Sequence, residues 1–384
     1  MNIVLYEMKK IWNLKLLLII VTLCALFFFL FMDFYIVYYP NGHPETEAVN
    51  YATQMIDQYG LSLDRKEYDE FIKKEEADIY SKIETYIKTN SIFSDAKIYT
   101  FEDFEKVYEK ESPTQLETHA IESLLSEESD YILYKLQTLQ SIESSYDVDF
   151  NEFLNEKEQL RLDKLQYAEK YHNIMSIGTF SNTVMYLTYF SRLAILAVLL
   201  FVAPLVISDR IKNLHLLQYT SKSGRKVFNH QFAAVILSAF LLTTVLLLVF
   251  GTIYSINETS QFWNNRLISF MNPGVFWFDI SYGQYIVLFV IFLYLLCLGT
   301  ASIVFVLSRY SQNIITLILK LIPAVVAFWA LCSGVFFNTF SSSNTLYKLT
   351  KIFGIEPIIC SCILMMGFIA SFYIMKRERK IDTF

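Results

Sequence analysis

Charged and apolar residues alternate in one short segment, VISDRIKNLHLLQYTSKSGRKVFNHQF at 206–232, which lies between two long apolar stretches. A short polar helix is predicted from about 209 to 219, followed by a Thr-Ser-Lys-Ser-Gly turn. Its apolar side chains could fill a cleft on another protein, and its charges could fix the position of that contact. The candidate docking residues are Asp209, Arg210, Lys212, Leu216, Leu217, Tyr219, Gly224 and Arg225. The alternative is an ordinary basic loop that meets lipid headgroups.

Ionisable residues also occur within the apolar stretches. Arg192 lies well inside the second stretch, and Asp33 and Glu356 lie near the ends of the first and the last. A charge in hydrocarbon is costly, so these three residues are candidates for a translocation path or an intramembrane pair. The alternative for Arg192 is that it snorkels to the interface beside Tyr186 and Tyr189.

Sequence motifs for catalysis are missing from this chain. There is no glycine-rich phosphate loop ending in Lys and Ser or Thr, and no HExxH pattern. All five cysteines fall in apolar stretches, which favours neither a disulfide framework nor a thiolate metal site. We therefore expect no enzyme activity, no catalytic residue, no metal and no cofactor in this chain, so any energy must come from a partner.

The apolar stretches define the fold class. Hydrophobic residues make up 54% of the chain, and six stretches have the roughly 20 residues that a membrane-crossing helix needs. We predict an all-α membrane protein with six transmembrane helices. The predicted spans are 16–39, 183–207, 231–254, 283–307, 314–337 and 352–375. The aromatic segment between the third and fourth spans is predicted to lie at the membrane interface.

The positions of Lys and Arg predict the orientation. Basic residues cluster before the first span, after the second, in the turn after the fourth and at the C-terminus, so both termini are predicted to be cytoplasmic. One outer turn departs from the rule that basic residues favour the cytoplasmic side: the last one, which carries Lys348 and Lys351. These short basic loops argue against a nucleic-acid partner, and the expected environment is membrane lipid.

The segment 40–182 is predicted to be a large helical extracytoplasmic domain between the first and second spans. Residues 41–182 hold 30 acidic and 14 basic residues, a net charge of −16, which leaves +10 for the rest of the chain. From 61 to 177 the segment has no Gly and only one Pro, which favours long helices. We predict helices near 62–89, 101–111, 113–144 and 150–176. Capping boxes are predicted at Thr100 with Asp103 and at Asp149 with Glu152, and a cap at Ser112 before Pro113.

The 208–230 loop resembles the coupling loop of the type-2 ABC exporter permeases. In that family an acidic residue opens a short helix, a Ser- and Gly-containing turn follows, and an Arg leads back into the membrane. Asp209 stands where Glu is more usual, Gly224 and Arg225 match the turn, and Asn213 departs from a frequent Gly. Residues 1–15 look like the family's interfacial elbow helix, with Ile3, Leu5, Met8, Ile11 and Trp12 opposite Glu7, Lys9 and Lys10. Residues 280–324 are similar to its fourth and fifth spans.

The apolar stretches and the acidic insert, together with the resemblance of the membrane part, give a domain order of elbow helix 1–15, first span 16–39, extracytoplasmic domain 40–182, which resembles no part of that family, and five-helix region 183–384 with coupling loop 208–230. The resemblance implies the permease subunit of a bacterial ABC exporter in the cell membrane, moving a peptide, such as an antimicrobial peptide, or a lipid-linked or other amphipathic substrate outward. Separate ATPase subunits would bind ATP and Mg, and a second permease copy or paralogue would complete the transporter. The alternative is a non-transporting protein whose outer domain transmits ATPase motion to, or senses, an extracellular partner.

Overall fold

The computed structural model describes residues 3–146, 155–167, 171–211 and 227–378. Throughout these ranges the regular elements are helices, and the described residues contain isolated β-bridges but no strand. The prediction of an all-helical protein is therefore confirmed.

Six helices are long and apolar enough to cross a membrane, which makes the chain a multi-pass membrane protein as predicted. They are numbered as spans in chain order. Span 1 is Leu14–Phe31, span 2 Ile177–Val202, span 3 Val227–Tyr254, span 4 Tyr282–Arg309, span 5 Ile314–Phe336 and span 6 Ile355–Glu378.

The first two spans end earlier than hydropathy indicated. Span 1 stops at Phe31 because the Phe28 carbonyl accepts from the amides of both Met32 and Asp33, at 2.8 and 2.9 Å, although apolar residues continue beyond it. Span 2 stops at Val202, and Pro204, which has no amide hydrogen to donate, starts the separate helix Pro204–Ile211.

The chain forms two compact units, and the first contains Met1–Val37, Asn182–Trp263 and Phe276–Phe384. We call it the membrane unit. Its spans 4 and 6 pack closely because small residues face each other: a Cβ at Gly367 would lie 2.9 Å from the Gly299 carbonyl oxygen. The Ser371 hydroxyl also donates to the Ser302 carbonyl at 3.2 Å.

The second unit contains Tyr38–Ser181 and Asn264–Val275. Its helices are Glu45–Tyr59, Arg65–Thr89, Ser91–Asp95, Phe101–Tyr108, Gln115–Leu124, Ile132–Tyr146 and Glu156–Tyr167. The longest of them, Arg65–Thr89, and the helix Ile132–Tyr146 pack together and bury Phe71, Ile83 and Leu139.

Two of the predicted helices in this unit are wrong in extent. The 113–144 helix is interrupted between Leu124 and Ile132, where Asp130 and Tyr131 adopt positive φ angles of 55° and 53°. Its first part begins at Gln115, because Thr114 forms the capping box rather than Ser112.

The predicted 150–176 helix is replaced by Glu156–Tyr167, and residues 171–176 are not helical. The capping box at Thr100 and Asp103 is confirmed, whereas the predicted box at Asp149 and Glu152 lies outside the described residues.

Residues 264–275, in the middle of the segment predicted to lie at the membrane interface, belong to the second unit. The Phe270 amide donates to the Tyr171 carbonyl at 2.9 Å, and the Ile177 amide donates to the Met271 carbonyl at 3.0 Å. Phe270 is fully buried and makes ring contacts with Tyr68 and Tyr146. These contacts bury Phe270, whereas Trp263 and Phe278, on either side of residues 264–275, are 46% and 42% exposed.

Candidate functional site

Four polar side chains meet where the N-terminal helix Ile3–Ile11 packs against both ends of the 208–230 loop. They are Glu7, Lys10, Asp209 and Gln231, and we call them the foot cluster. The Lys10 Nζ lies 2.8 Å from Glu7 Oε1 and 3.2 Å from Asp209 Oδ1. The Gln231 Nε2 donates to Asp209 Oδ2 at 2.7 Å and to Glu7 Oε2 at 3.3 Å.

Burial gives the foot cluster its strength. Glu7, Asp209 and Gln231 are 3%, 4% and 1% exposed, so two carboxylates share one ammonium group away from bulk water. Burial alone would lower the pKa of Lys10. Hydrogen bonding and attraction to Glu7, and then to Asp209, outweigh that effect and raise the Lys10 pKa above its usual value. Loss of the ammonium would leave two buried carboxylates with one amide between them.

The cluster holds together the two ends of the loop. Asp209 lies in the last turn of the helix Pro204–Ile211, and Gln231 lies in the first turns of span 3. The expectation that Asp209 opens a 209–219 helix is wrong, because the helix that contains it begins at Pro204. Glu7, assigned to the polar face of the elbow helix, is buried against the loop instead.

Aromatic contacts fix the N-terminal helix next to the cluster. The Trp12 Nε1 donates to the Ser238 hydroxyl of span 3 at 3.1 Å, and the Trp12 ring meets Phe201 of span 2 edge-on at 5.0 Å. The buried guanidinium of Arg309 lies 3.9 Å from the ring centroid of Phe228. The loop ends are therefore anchored to the bundle by polar and apolar contacts together.

Most of the predicted docking residues cannot be placed. Asp209 is the docking residue whose side chain the structure describes, and Arg210 is described as backbone in the same helix. The others, Lys212, Leu216, Leu217, Tyr219, Gly224 and Arg225, lie outside the described residues.

Arg192 makes neutral contacts instead of an ion pair. Its Nη2 donates to the Ser333 hydroxyl of span 5, and its guanidinium lies 4.6 Å from the Trp329 ring centroid and 5.0 Å from that of Tyr189. The rings of Tyr189 and Trp329 stabilise a cation through their electron-rich faces.

The expected pairing of Arg192 with Asp33 or Glu356 is wrong: among the described residues, neither carboxylate reaches ion-pair distance of it. Glu356 is 1% exposed, and its Oε1 accepts from the Phe340 amide at 2.9 Å. That bond holds a turn in which Phe340 has a φ of 62°. Asp33 lies at the end of span 1, where its carbonyl accepts from the Val37 amide at 3.0 Å.

A cavity of about 500 Å³ in the membrane unit lies between spans 2, 3 and 4 and the segment 255–263. Its wall is largely aromatic and aliphatic, and the tyrosines in it bury their hydroxyls. The sequence reasoning missed this cavity and the roles of Glu7 and Gln231. Gln231 could have been identified from the sequence, because it is a polar residue at the same helical spacing as the apolar residues of span 3. The cavity could not, because residues from three separate spans form it.

In three comparisons, with protein-family models, with curated proteins and with solved structures, nothing matches this chain. Its function must therefore be inferred from the chemistry and placement of its own residues.

Proposed function

We propose that this chain is the permease subunit of an ATP-driven ABC exporter that moves a peptide, lipid-linked or other amphipathic substrate outward. The foot cluster is the observation that carries the proposal. A loop that only met lipid headgroups would not need its two ends tied to an N-terminal helix through two buried carboxylates and a shared lysine.

The mechanism follows from that geometry. An ATPase subunit that changes shape on ATP binding would push on the loop residues. Because Gln231 donates to both Asp209 and Glu7, and Lys10 pairs with both carboxylates, a push on the loop would move spans 2 and 3 and the N-terminal helix as one body. Lys10 supplies the positive charge that holds Glu7 and Asp209 together in the foot cluster.

The topology in this proposal has both termini and the 208–230 loop in the cytoplasm, and the second unit outside a bacterial cell. The distribution of charge supports this topology. The basic residues lie in the short loops assigned to the cytoplasm, and residues 41–182, with a net charge of −16, lie on the other side. ATP and Mg would be bound by the partner ATPase subunits. Arg192, Asp33 and Glu356 remain candidates for the translocation path.

A second permease copy or paralogue is also part of the proposal. Spans 1 and 5 expose most of their apolar side chains, among them Leu18, Leu30, Ile315 and Leu319. A surface of this kind fits lipid or a neighbouring permease.

A non-transporting role is the second candidate, because the second unit has a packed core of its own. In that case the same loop motion would be passed to an extracellular partner. Export predicts a second six-span subunit in the purified complex, whereas mechanical signalling predicts a protein retained by residues 38–181.

The experiment is site-specific photo-cross-linking in native membranes. A benzophenone amino acid is placed at Leu217, in the loop, and at the control position Leu349, which is 78% exposed in the helix Thr345–Thr350. We expect an adduct with a Walker-motif ATPase from position 217 and none from position 349. Lipid adducts alone from position 217 would overturn the proposal.

The topology is tested separately with a membrane-impermeant maleimide. A cysteine at Glu128, which is exposed beside the buried Ser129, should be labelled in intact cells. A cysteine at Ser221 should be labelled only after the cells are opened. Reversal at either position would contradict the orientation.

A further inference from the structure

The cavity between spans 2, 3 and 4 has the size of a ligand site. Its volume of about 500 Å³ falls within the roughly 300 to 1,000 Å³ typical of small-molecule sites. Phe190, Phe250 and Phe289 form part of its wall, and Leu248, which also lines it, is 66% exposed at the surface of span 3. The cavity is thus open on an apolar face of a membrane-spanning helix.

The tyrosine hydroxyls of the cavity wall are already hydrogen-bonded within the protein, whereas the exposed Ser255, whose hydroxyl donates to the Thr252 carbonyl at 2.7 Å, can still accept a hydrogen bond. The Tyr186 hydroxyl donates to the Phe250 carbonyl at 2.8 Å, and the Thr183 hydroxyl lies 2.8 Å from that of Tyr254 and 2.9 Å from that of Tyr282. Polar groups satisfied inside the protein offer little to a ligand. This wall therefore favours an apolar occupant.

Polar groups collect at one end of the cavity. Ser255 and Ser260 are exposed there, beyond the last turn of span 3. Trp263 closes the same end, and Gly283 sets its position: a Cβ at Gly283 would lie 2.5 Å from the Trp263 ring. An occupant thus meets an apolar interior and a hydroxyl-bearing rim.

We propose that this cavity binds one acyl chain of a membrane phospholipid, with the chain against Phe250 and Phe289 and the polar end at Ser255 and Ser260. The exposed side chains next to the opening, Val249 on span 3 and Val287 and Ile291 on span 4, are apolar and would face the bilayer, which supplies such chains. The site goes beyond the proposed export function and does not depend on ATP or on the loop.

Gly251 offers a direct way to fill the cavity. It lines the cavity, and a Cβ built on it meets nothing within 4 Å. Gly251→Leu therefore places a side chain in open space and favours the helix, so it should not impair folding. Leu237→Phe is the matched control, because Leu237 lies on the same span, is 47% exposed and does not line the cavity.

The test uses purified protein in phosphatidylglycerol and phosphatidylcholine vesicles that contain a phospholipid with a diazirine on its acyl chain. After illumination, mass spectrometry of the peptides compares labelling at residues 247–263 with labelling on the exposed face of span 5. We expect stronger labelling at the cavity. It should fall to the span 5 level in Gly251→Leu and stay at the parent level in Leu237→Phe.

A second readout uses the emission of Trp263, obtained as the difference between the parent protein and Trp263→Phe. Phospholipid brominated along its acyl chain should quench this emission in the parent and less in Gly251→Leu. Cavity labelling no higher than on span 5, or unchanged labelling and quenching in Gly251→Leu, would overturn the proposal. Both readouts are independent of ATPase binding, so their failure would leave the proposed export function to its own test.

Discussion

One ion pair from each unit shows how the environment of a charge changes its effect. In the second unit, Lys82 and Asp78 approach to 2.6 Å, with 55% and 54% of their side chains exposed. In the foot cluster, Lys10 meets Glu7 at a similar 2.8 Å, but the Glu7 side chain is only 4% exposed. Similar distances thus carry different energies, because water screens the first pair fully, whereas in the second the carboxylate is buried and only the Lys10 side chain, 26% exposed, reaches water.

The ion pairs of the two units also differ in their range along the chain, although both units contain long-range neutral hydrogen bonds, such as that from the Tyr68 hydroxyl to the Ile142 carbonyl. Among the described residues, the ion pairs and capping boxes of the second unit join residues one to seven positions apart, as at Lys74 with Glu75 and at Lys110 with Glu117. The foot cluster joins Lys10 to Asp209 across 199 positions, and Trp12 reaches Ser238 across 226. Local bonds shape single helices, whereas the long-range bonds decide which helices move together.

The largest expected effect is at the foot cluster. Lys10→Met leaves two buried carboxylates without their cation, which should destabilise the membrane unit by about 3 kcal/mol. Thermal unfolding in detergent measures the change. Lys9→Met is the control, because Lys9 lies exposed on the same helix. An equal loss in both variants would show that the cluster has no special role.

An alkaline titration sharpens the same point. In the folded protein the Lys10 pKa is raised above its usual 10.5. The charged Lys10 therefore contributes its full share to the free energy of unfolding below pH 10.5, and this contribution is lost as the pH rises through the pKa of Lys10 in the folded protein. The difference in unfolding temperature between the parent and Lys10→Met should therefore shrink above pH 10.5. A difference that stays constant would point to packing rather than charge.

A smaller effect is expected at Arg192, which has no carboxylate partner among the described residues. Arg192→Leu removes the contacts with Trp329 and Tyr189 and should cost about 2 kcal/mol, and Arg192→Lys should keep part of this, because a cation remains near the rings. Unfolding temperatures of the three proteins measure the order. A Leu variant as stable as the parent would contradict this reading.

At the caps of the second unit, loss of one local bond should have a moderate effect. Thr100→Ala removes the side chain that accepts from the Asp103 amide and should cost about 1 kcal/mol. Thr85→Ala is the control, since Thr85 is exposed near the C-terminal end of the helix Arg65–Thr89, where its hydroxyl donates to the Ser81 carbonyl and caps no helix start. Chemical unfolding monitored by circular dichroism gives the free energy of unfolding of each variant. Equal losses in Thr100→Ala and Thr85→Ala would contradict a stabilising role for the cap.

The smallest effect is expected at the exposed pair. Lys82→Gln should change the unfolding free energy by no more than about 0.5 kcal/mol, because an exposed pair one helical turn apart is weak. The same unfolding curves measure it. A loss as large as that of Lys10→Met would break the contrast between the two units.

The difference between local and long-range contacts also explains which features could be predicted from the sequence. Apolar runs and the Thr100 capping box are local, so the six spans and that helix start were predictable. The break between Leu124 and Ile132 was not, because Asp130 and Tyr131 adopt positive φ angles without a Gly or Pro nearby.

The candidate site was predictable only in part. Asp209 could be identified from its position at the start of the loop. Glu7 was predicted to be exposed, because it lies on the polar face of the N-terminal helix when that helix is taken without its neighbours. Its burial depends on Asp209 and Gln231, which lie far along the chain and belong to other helices. The cavity likewise depends on three spans together.

The central claim is that the 208–230 loop joins this chain to an ATPase, and the most direct measurement is ATP hydrolysis by the complex purified through a tag on this chain. The parent and the control Leu349→Asp should both retain vanadate-sensitive hydrolysis. A variant carrying Leu216→Asp and Tyr219→Asp should lose it while remaining in the membrane. Hydrolysis retained at the parent level in that double variant would contradict the claim.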